Sequence, residues 1–176
     1  MTALYSVAEI REIEHAALTA LPPRTLIHRA GQSAAKAALE LLPDAQIDVR
    51  VLVLAGPGNN GGDALETVYH LAQVGLQVSV LLYADTTKQS PDSQHALRQA
   101  QSTTAHFMDS ALPSAIAATP WALVIDGLFG IGLARPIAGD LRIAIENANA
   151  LDCPILALDI PSGLDSDTGN IVGEHG

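Results

Sequence analysis

The chain has 176 residues, of which 48% are hydrophobic and 3% aromatic, and its formal net charge is −10 at pH 7. This length suggests one domain, and this hydrophobic content excludes a disordered chain. The acidic balance disfavours nucleic acid and membranes as partners. The single cysteine, Cys153, cannot form an internal disulfide. Because no signal-peptide or membrane-spanning pattern is visible either, we expect a cytoplasmic protein.

Two helices are predicted before the first strand. A capping box at Ser6–Glu9 and apolar residues at helical spacing predict a helix over Val7–Ala20. Thr25 is placed to cap a second helix over Leu26–Leu42. Both helices precede the first strand, so they either cover one face of the sheet or form a dimer contact.

A strand–loop–helix–strand unit forms the centre of the chain. Val51–Ala55 and Leu76–Leu82 are short apolar runs typical of buried strands, and Asp63–Val74 has helical spacing between them. Such a βαβ unit predicts a parallel sheet, in which ligands bind beyond the carboxyl ends of the strands. The chemistry is therefore expected at the glycine-rich loop 56–62 and the start of the helix.

This glycine-rich loop allows more than one interpretation. Gly56, Gly58 and Gly61 match G-x-G-x-x-G, and Asp85 follows the next strand, where a ribose-binding acid belongs in a dinucleotide fold. Asp63 argues against this, because a carboxylate in the first helical turn takes the place of a pyrophosphate. In the simplest interpretation the loop is only a tight turn and Asp63 only a cap.

Further elements follow in the second half of the chain. They are a helix over Pro91–Gln101, a short strand at Ala105–Met108, a helix from Asp109 or Ser110 to about Thr119, a strand over Trp121–Ile125, a helix from Gly139 to about Ala150, and a strand over Pro154–Leu158. His70, His95 and His106 have no partner at zinc-site spacing, so we expect no ligand role for them.

Carboxylates follow or end three of the predicted strands: Asp63, Asp126 and Asp159. If the strands are neighbours, these groups face one crevice. Crowded carboxylates repel each other, which either raises a pKa towards neutrality, giving a general acid or base, or favours a bound cation. Asn60, Asp126 and Ser162 would offer a cation hard oxygen ligands, which suit an alkali or alkaline-earth ion rather than zinc.

Arg135 is the single cation of the second glycine-rich loop, residues 127–136. Its guanidinium would bind a phosphate through two hydrogen bonds, and the backbone amides of the loop would form an anion-binding nest. The alternative is a solvated loop side chain.

Three ordered blocks of this sequence resemble the YjeF N-terminal domain family, the NAD(P)H-hydrate epimerases. The blocks are GPGNNGGD at 56–63, DGLFGIGLARP at 126–136 and DIPSGLD at 159–165. The resemblance implies a Rossmann-like three-layer α/β/α sandwich, with a mostly parallel sheet and two N-terminal helices, that forms a homodimer. The implied activity interconverts the R and S forms of NADHX and NADPHX, the nicotinamide cofactors hydrated at ring carbon 6. The S form would then go to an ADP- or ATP-dependent dehydratase.

The resemblance also implies roles for individual residues. The implied substrate-binding residues are Asn59, Asn60, Gly61, Gly62, Asp63, Gly130, Ile131, Gly132, Leu133, Ala134, Arg135, Pro136 and Asp159. Asn60, Asp126 and Ser162 would hold a potassium ion. As a hypothesis for the mechanism, loss of the C6 hydroxyl gives a flat iminium and water returns on either face. In this hypothesis Asp159 carries the proton and Asp63 orients the reacting groups.

The sequence departs from the family at Ala64, where a glycine often follows the Gly-Gly-Asp triplet. The family also continues beyond Gly176 with further strand and helix, so we expect residues 1–176 to be a domain truncated at its C-terminus. A dehydratase would be fused to it or act beside it. Two other functions stay open: a non-catalytic binding and dimerisation module of the same fold, as in scaffold proteins of messenger-RNA decapping, and an ordinary NAD-dependent oxidoreductase.

Overall fold

The computed structural model describes residues 4–42, 48–108 and 116–173. Within these ranges the elements, in chain order, are α1 (Val7–Ala20), α2 (Thr25–Leu41), β1 (Arg50–Ala55), α3 (Asn59–Gln73), β2 (Gln77–Leu82), α4 (Pro91–Gln101), β3 (His106–Met108), β4 (Leu123–Gly127), α5 (Gly139–Asn149) and β5 (Ile155–Ala157). The helix predicted from Asp109 or Ser110 begins outside the described residues.

The five strands form one sheet in the order β3-β2-β1-β4-β5, and every neighbouring pair is parallel. The chain winds outward from β1 to β3 and then crosses back to β4 on the other side of β1. The direction of winding therefore reverses between β1 and β4, and the carboxyl ends of these two strands open a crevice there. The predicted α/β fold with a parallel sheet is confirmed.

Helices cover both faces of the sheet, as a three-layer sandwich requires. Side chains alternate along β1, so Val51 and Val53 pack in one core with residues of α2, α3 and α4. Leu52 and Leu54 pack in a second core with Ala144 of α5. Because both faces are buried, β1 is a continuous apolar run rather than an alternating one.

The largest difference from the predicted elements is the start of α3. This helix begins at Asn59, four positions before the predicted Asp63, so its first turn consists of two asparagines and two glycines. Helix propensity disfavours such a turn, but tertiary packing overrides it. A Cβ atom on Gly61 would collide with the carbonyl oxygen of Gly56, so the chain packs tightly here.

Smaller differences concern a cap and a strand end. Thr25 is the first residue of α2 rather than its cap; its hydroxyl donates to the carbonyl oxygen of Pro22 at 2.7 Å. The capping position is Arg24, whose φ is 67°. β4 extends to Gly127, so Asp126 lies inside the strand and not at its tip. The bounds of α1 and α4 match the predicted ones.

The two N-terminal helices take different positions. α2 buries Gly31, Ala35 and Ala38 and packs against α3, so it covers the sheet face as expected. α1 has no buried residue, and the backbone N–H of Val7 donates to the carboxylate of Asp167 at 2.9 Å. Covering the sheet is therefore not the role of α1. Among the described residues, no helix has the length and apolar character needed to cross a bilayer.

Candidate active site

A cleft of about 730 Å³ opens where the direction of winding reverses. Its floor is the loop after β1, the start of α3, the loop after β4, and residues 156–159 at the end of β5. Its rim comes from α1 and α2. This is the position where open parallel sheets bind their ligands.

Eight of the thirteen predicted substrate-binding residues line this cleft. They are Asn59, Asn60, Asp63, Gly130, Ile131, Gly132, Leu133 and Asp159. The other five are not among its lining residues. Gly61 and Gly62 are buried in the first turn of α3, Ala134 and Arg135 are exposed, and Pro136 lines a neighbouring cleft. The backbone N–H of Leu133 donates to the carbonyl oxygen of Gly130 at 3.2 Å, and the three residues after this turn do not line the cleft.

Of the three carboxylates that were predicted to face one crevice, two line the same cleft. Asp63 and Asp159 line the main cleft, whereas Asp126 lines the neighbouring cleft of about 680 Å³ together with Ser162. The physical reason is the alternation of side chains along β4. Asp126 lies inside this strand, so its side chain projects to the same face as Val124, towards α5.

Asp126 and Ser162 form a hydrogen-bonded pair between the loops after β4 and β5. The hydroxyl of Ser162 donates to Oδ1 of Asp126 at 2.7 Å, and its backbone N–H donates to Oδ2 at 2.9 Å. The backbone N–H of Leu128 donates to Oδ1 at 3.1 Å, and that of Phe129 donates to the Ser162 hydroxyl oxygen at 2.9 Å. These neutral donors hold the two loops in a fixed relation.

Asp63 has the most unusual electrostatic environment in the cleft. Burial, followed by the negative charges of Asp159, Glu14 and Glu66, raises the pKa of Asp63 from 3.8 to about 7. A carboxyl group with this pKa takes up and releases a proton near neutral pH, which is the property of a general acid or base.

Asp159 fixes the loop after β4. Its Oδ2 atom accepts a hydrogen bond from the backbone N–H of Ile131 at 2.8 Å. A Cβ atom on Gly130 would collide with the same carboxylate, so any larger residue here would have to displace it. Asp159 itself has a φ of 67°, a left-handed conformation that non-glycine residues adopt rarely and that is often found at functional sites.

The first turn of α3 offers hydrogen-bond donors to the cleft. Asn60 is 8% exposed, and its side-chain Nδ2 atom has no hydrogen-bond partner among the described residues. Buried polar groups are nearly always paired, so this amide is available to a ligand. The free backbone N–H groups of a helix N-terminus are also suited to an anion such as a phosphate.

The contribution of α1 and α2 to the cleft was not predicted from the sequence. Ile10, Arg11 and Glu14 of α1 and Ser33 of α2 line its rim. Arg11 therefore places a guanidinium at the rim of the cleft, whereas Arg135 is exposed and is not among the lining residues. No local pattern reveals this, because the docking of α1 across the cleft depends on contacts between distant parts of the chain.

The dinucleotide motif does not describe this cleft well. A Cβ atom on Gly56 would meet the backbone of Leu128, so this glycine serves the packing of two loops. Asp85, the expected ribose-binding acid, is not among the lining residues. Its carboxylate instead accepts hydrogen bonds from Thr87 and pairs with Lys88 at 2.9 Å.

Fold and site together define a Rossmann-like α/β domain whose ligand cleft contains a carboxyl group suited to proton transfer. The family model described as YjeF-related protein N-terminus matches residues 23–175. The chain belongs to this family.

Relatives with assigned names support the same grouping. The chain is 41% identical over 170 residues to an NAD(P)H-hydrate epimerase of Achromobacter xylosoxidans, a match that covers 96% of this chain and 77% of the relative. It is 43% identical over 149 residues to an NAD(P)H-hydrate epimerase of Bordetella bronchiseptica, covering 85% and 62%. It is 36% identical over 172 residues to the bifunctional NAD(P)H-hydrate repair enzyme Nnr of Synechocystis, covering 97% of this chain and 32% of the relative.

A solved structure supports the fold. The crystal structure of the yeast protein YNL200c superposes with a TM-score of 0.80 at 24% identity, covering 98% of this chain and 76% of the yeast chain.

Proposed function

We propose that this chain is an NAD(P)H-hydrate epimerase, which interconverts the R and S forms of hydrated NADH and NADPH. Membership of the family and the names of its relatives support this activity. In the structure, the main support for this activity is that two carboxyl groups, Asp63 and Asp159, line the same cleft and that the pKa of Asp63 is near 7.

The reaction needs one group that donates and then accepts a proton. Carbon 6 of the hydrated ring carries a hydroxyl and adjoins the ring nitrogen. Protonation of the hydroxyl lets it leave as water while the nitrogen lone pair forms the C=N bond of an iminium. Water then adds to the opposite face of the flat ring and returns the proton to the carboxylate. A well-placed general acid and base contributes about 10²–10⁴-fold to such a step.

We assign the proton transfer to Asp63 and the positioning role to Asp159, which exchanges the roles in the sequence-based hypothesis. The pKa of Asp63 near 7 allows both protonation states at neutral pH. Asp159 holds the backbone of Ile131 and its negative charge helps to raise the pKa of Asp63.

The dinucleotide part of the substrate would bind along the first turn of α3. There the backbone N–H groups of the helix N-terminus lie at the cleft, which Asn59 and Asn60 line. On the rim, Arg11 supplies a guanidinium, which binds phosphate through two parallel hydrogen bonds.

We further propose that Asn60, Asp126 and Ser162 hold a potassium ion. The donor types fit, because they are carboxylate, hydroxyl and amide groups and include neither thiolate nor imidazole. Asn60 lines the main cleft and Asp126 and Ser162 line the neighbouring one, so the ion would lie between the two clefts. The Asn60 amide is buried and its nitrogen is unpartnered; turning the amide about its last bond presents its oxygen instead. When bound, the ion would offset negative charge beside the cleft.

A second copy of this chain would pack on α1. This helix buries none of its residues, and Tyr5, Ile13 and Leu18 at its start and along it are each more than half exposed. Analytical ultracentrifugation of wild type and of a Leu18→Asp variant tests this contact. We expect a dimer for wild type and a monomer for the variant; a monomeric wild type would contradict the contact.

The proposed activity can be tested in an assay coupled to a dehydratase. Hydrated NADH and NADPH, mixed in both forms, are incubated with this chain and an S-specific dehydratase, and the R form is followed by chiral chromatography. Wild type should consume the R form faster than it epimerises spontaneously. Asp63→Asn should lose about 10²–10⁴-fold in rate, whereas Asp152→Asn, which changes an exposed carboxylate away from the cleft, should behave as wild type. No acceleration by wild type would contradict the proposed function.

The bifunctional relatives support a dehydratase as the partner of this activity. If the coupled assay shows no epimerisation, two further measurements identify the alternative. Oxidation of intact NADH with a carbonyl substrate would favour an oxidoreductase, and RNA binding that weakens steeply with salt would favour a binding module.

A further inference from the structure

Three side chains capable of binding a metal converge outside the cleft, between α2 and α3. His28 comes from α2, and Glu66 and His70 come from successive turns of α3. Oε1 of Glu66 lies 2.8 Å from Nδ1 of His28 and 3.5 Å from Nε2 of His70. One donor atom from each side chain lies within 4.8 Å of the other two.

Burial makes this cluster unusual. The side chain of Glu66 is 4% exposed, and its ion-pair partners among the described residues are the two histidines. The Nε2 atom of His70 is buried without a hydrogen-bond partner in the described part of the chain. A buried carboxylate and a buried unpaired nitrogen are both costly unless something compensates them.

We propose that His28, Glu66 and His70 form a binding site for a divalent transition-metal ion of the zinc class. Two imidazoles and one carboxylate are a known zinc ligand set in which the fourth position is left to water. Imidazole nitrogen also favours this class over magnesium and calcium, which prefer oxygen ligands. The site is separate from the proposed oxygen-ligand ion site and does not depend on the proposed function.

The distances suit such an ion. Donor atoms around a tetrahedral zinc with bonds of about 2.0–2.1 Å lie about 3.3 Å apart. The separations of Oε1 of Glu66 from the nitrogens of His28 and His70, 2.8 Å and 3.5 Å, lie on either side of this value. The side chain of His28 is 55% exposed, so it can rotate to complete the set. A pocket of about 270 Å³ borders His28 and Glu66 and has room for the water ligand.

A bound ion would connect two walls of the main cleft. Ala30 and Ser33 of α2 and Asp63 of α3 line that cleft. Of the proposed ligands, His28 lies two positions before Ala30, and Glu66 lies three positions after Asp63. The ion would therefore stabilise the arrangement of α2 against α3. No zinc-site spacing is visible around His70 in the sequence, because the other histidine of the cluster, His28, is 38 positions from Glu66 along the chain and is brought near only by folding.

The test measures metal binding by the full chain after treatment with a chelator. Zinc is titrated by calorimetry, and cobalt, as a spectroscopic substitute, by visible absorption. We expect one ion per chain. His28→Ala and His70→Ala should each weaken binding by more than about 10-fold, since even loss of an outer partner of a metal ligand costs about 10–100-fold. His106→Ala, which removes an exposed histidine on β3, should bind as wild type.

A second measurement keeps the test independent of folding defects. At a zinc concentration about 100-fold above the wild-type Kd, the Tm of wild type should rise by about 5–10 °C, and that of His28→Ala, which binds more than about 10-fold more weakly, should rise by at most about half as much. His28 is largely exposed, so this variant should fold even if His70→Ala does not. Absence of stoichiometric binding by wild type would overturn the site. The site would also be overturned if both His28→Ala and His70→Ala bound zinc as tightly as wild type, or if His106→Ala lost binding.

Discussion

The partly buried carboxyl group of Asp63 should make the stability of this protein fall as the pH rises. Burial and the neighbouring charges of Asp159, Glu14 and Glu66 raise its pKa to about 7. Between pH 4 and pH 7 the unfolded chain has lost this proton while the folded protein keeps it. The unfolded state binds fewer protons, so the free energy of unfolding decreases as the pH increases. The contribution of this group is complete below pH 4 and is lost once the pH has passed 7.

The size of this effect follows from the pKa change. The pKa rises from 3.8 to about 7, and each pKa unit corresponds to about 1.4 kcal/mol. Wild type should therefore lose up to about 4 kcal/mol of unfolding free energy from this group between pH 4 and pH 8. Asp63→Asn replaces the carboxyl group by a neutral amide of similar shape. The variant should be close to wild type at pH 4.5 and more stable by about 2–4 kcal/mol at pH 8.5.

Urea unfolding followed by circular dichroism at pH 4.5, 6, 7 and 8.5 measures the difference directly. Asp152→Asn serves as the matched control, because this carboxylate is exposed and its replacement should leave the pH dependence of wild type unchanged. The reasoning would be refuted if Asp63→Asn were destabilised by the same amount at every pH. The same carboxyl group should produce a limb near pH 7 in the profile of kcat/KM for epimerisation, and the variant should lack it.

Three further substitutions test the cleft. Gly130→Ala places a methyl group against the Asp159 carboxylate and should lower kcat at least about 10-fold. In Gly132→Ala the added methyl group comes no closer than 4.0 Å to a side chain, so this variant should lose less kcat than Gly130→Ala; equal losses would contradict the contact. Ser162→Ala removes hydrogen bonds between two loops and should lower the urea-derived unfolding free energy by about 1–3 kcal/mol; an unchanged value would contradict their importance. Arg11→Ala should raise KM about 10–100-fold with little change in kcat if the guanidinium binds phosphate; an unchanged KM would exclude that role.

Local sequence patterns determined most of the secondary structure. The capping box at Ser6–Glu9 and the apolar spacing after it set the bounds of α1, and Pro91 marked the first residue of α4. The buried parallel strands were visible as short apolar runs because both of their faces are covered. The glycine-rich loop after β1 indicated the ligand end of the sheet, and the cleft lies there.

The start of α3 could not be predicted from local preference. Asparagine and glycine disfavour helix, so the pattern placed the first turn at Asp63. In the structure the helix begins at Asn59, where Gly61 packs closely against the backbone of Gly56. Asp63 consequently lies behind the first turn, in a partly buried position, where its pKa can rise.

The sequence by itself determined the fold class, the polarity of the sheet and the three loops that carry the family motifs, because each depends on residues close together in the chain. The tertiary structure alone decided which side chains share a cleft. Because side chains alternate along β4, Asp126 lies in a different cleft from Asp63, and the packing of α1 places Arg11 at the rim of the main cleft. The packing of α2 on α3 joins His28 to Glu66 and His70. These outcomes depend on contacts between distant segments, and periodicity and spacing carry no information about such contacts.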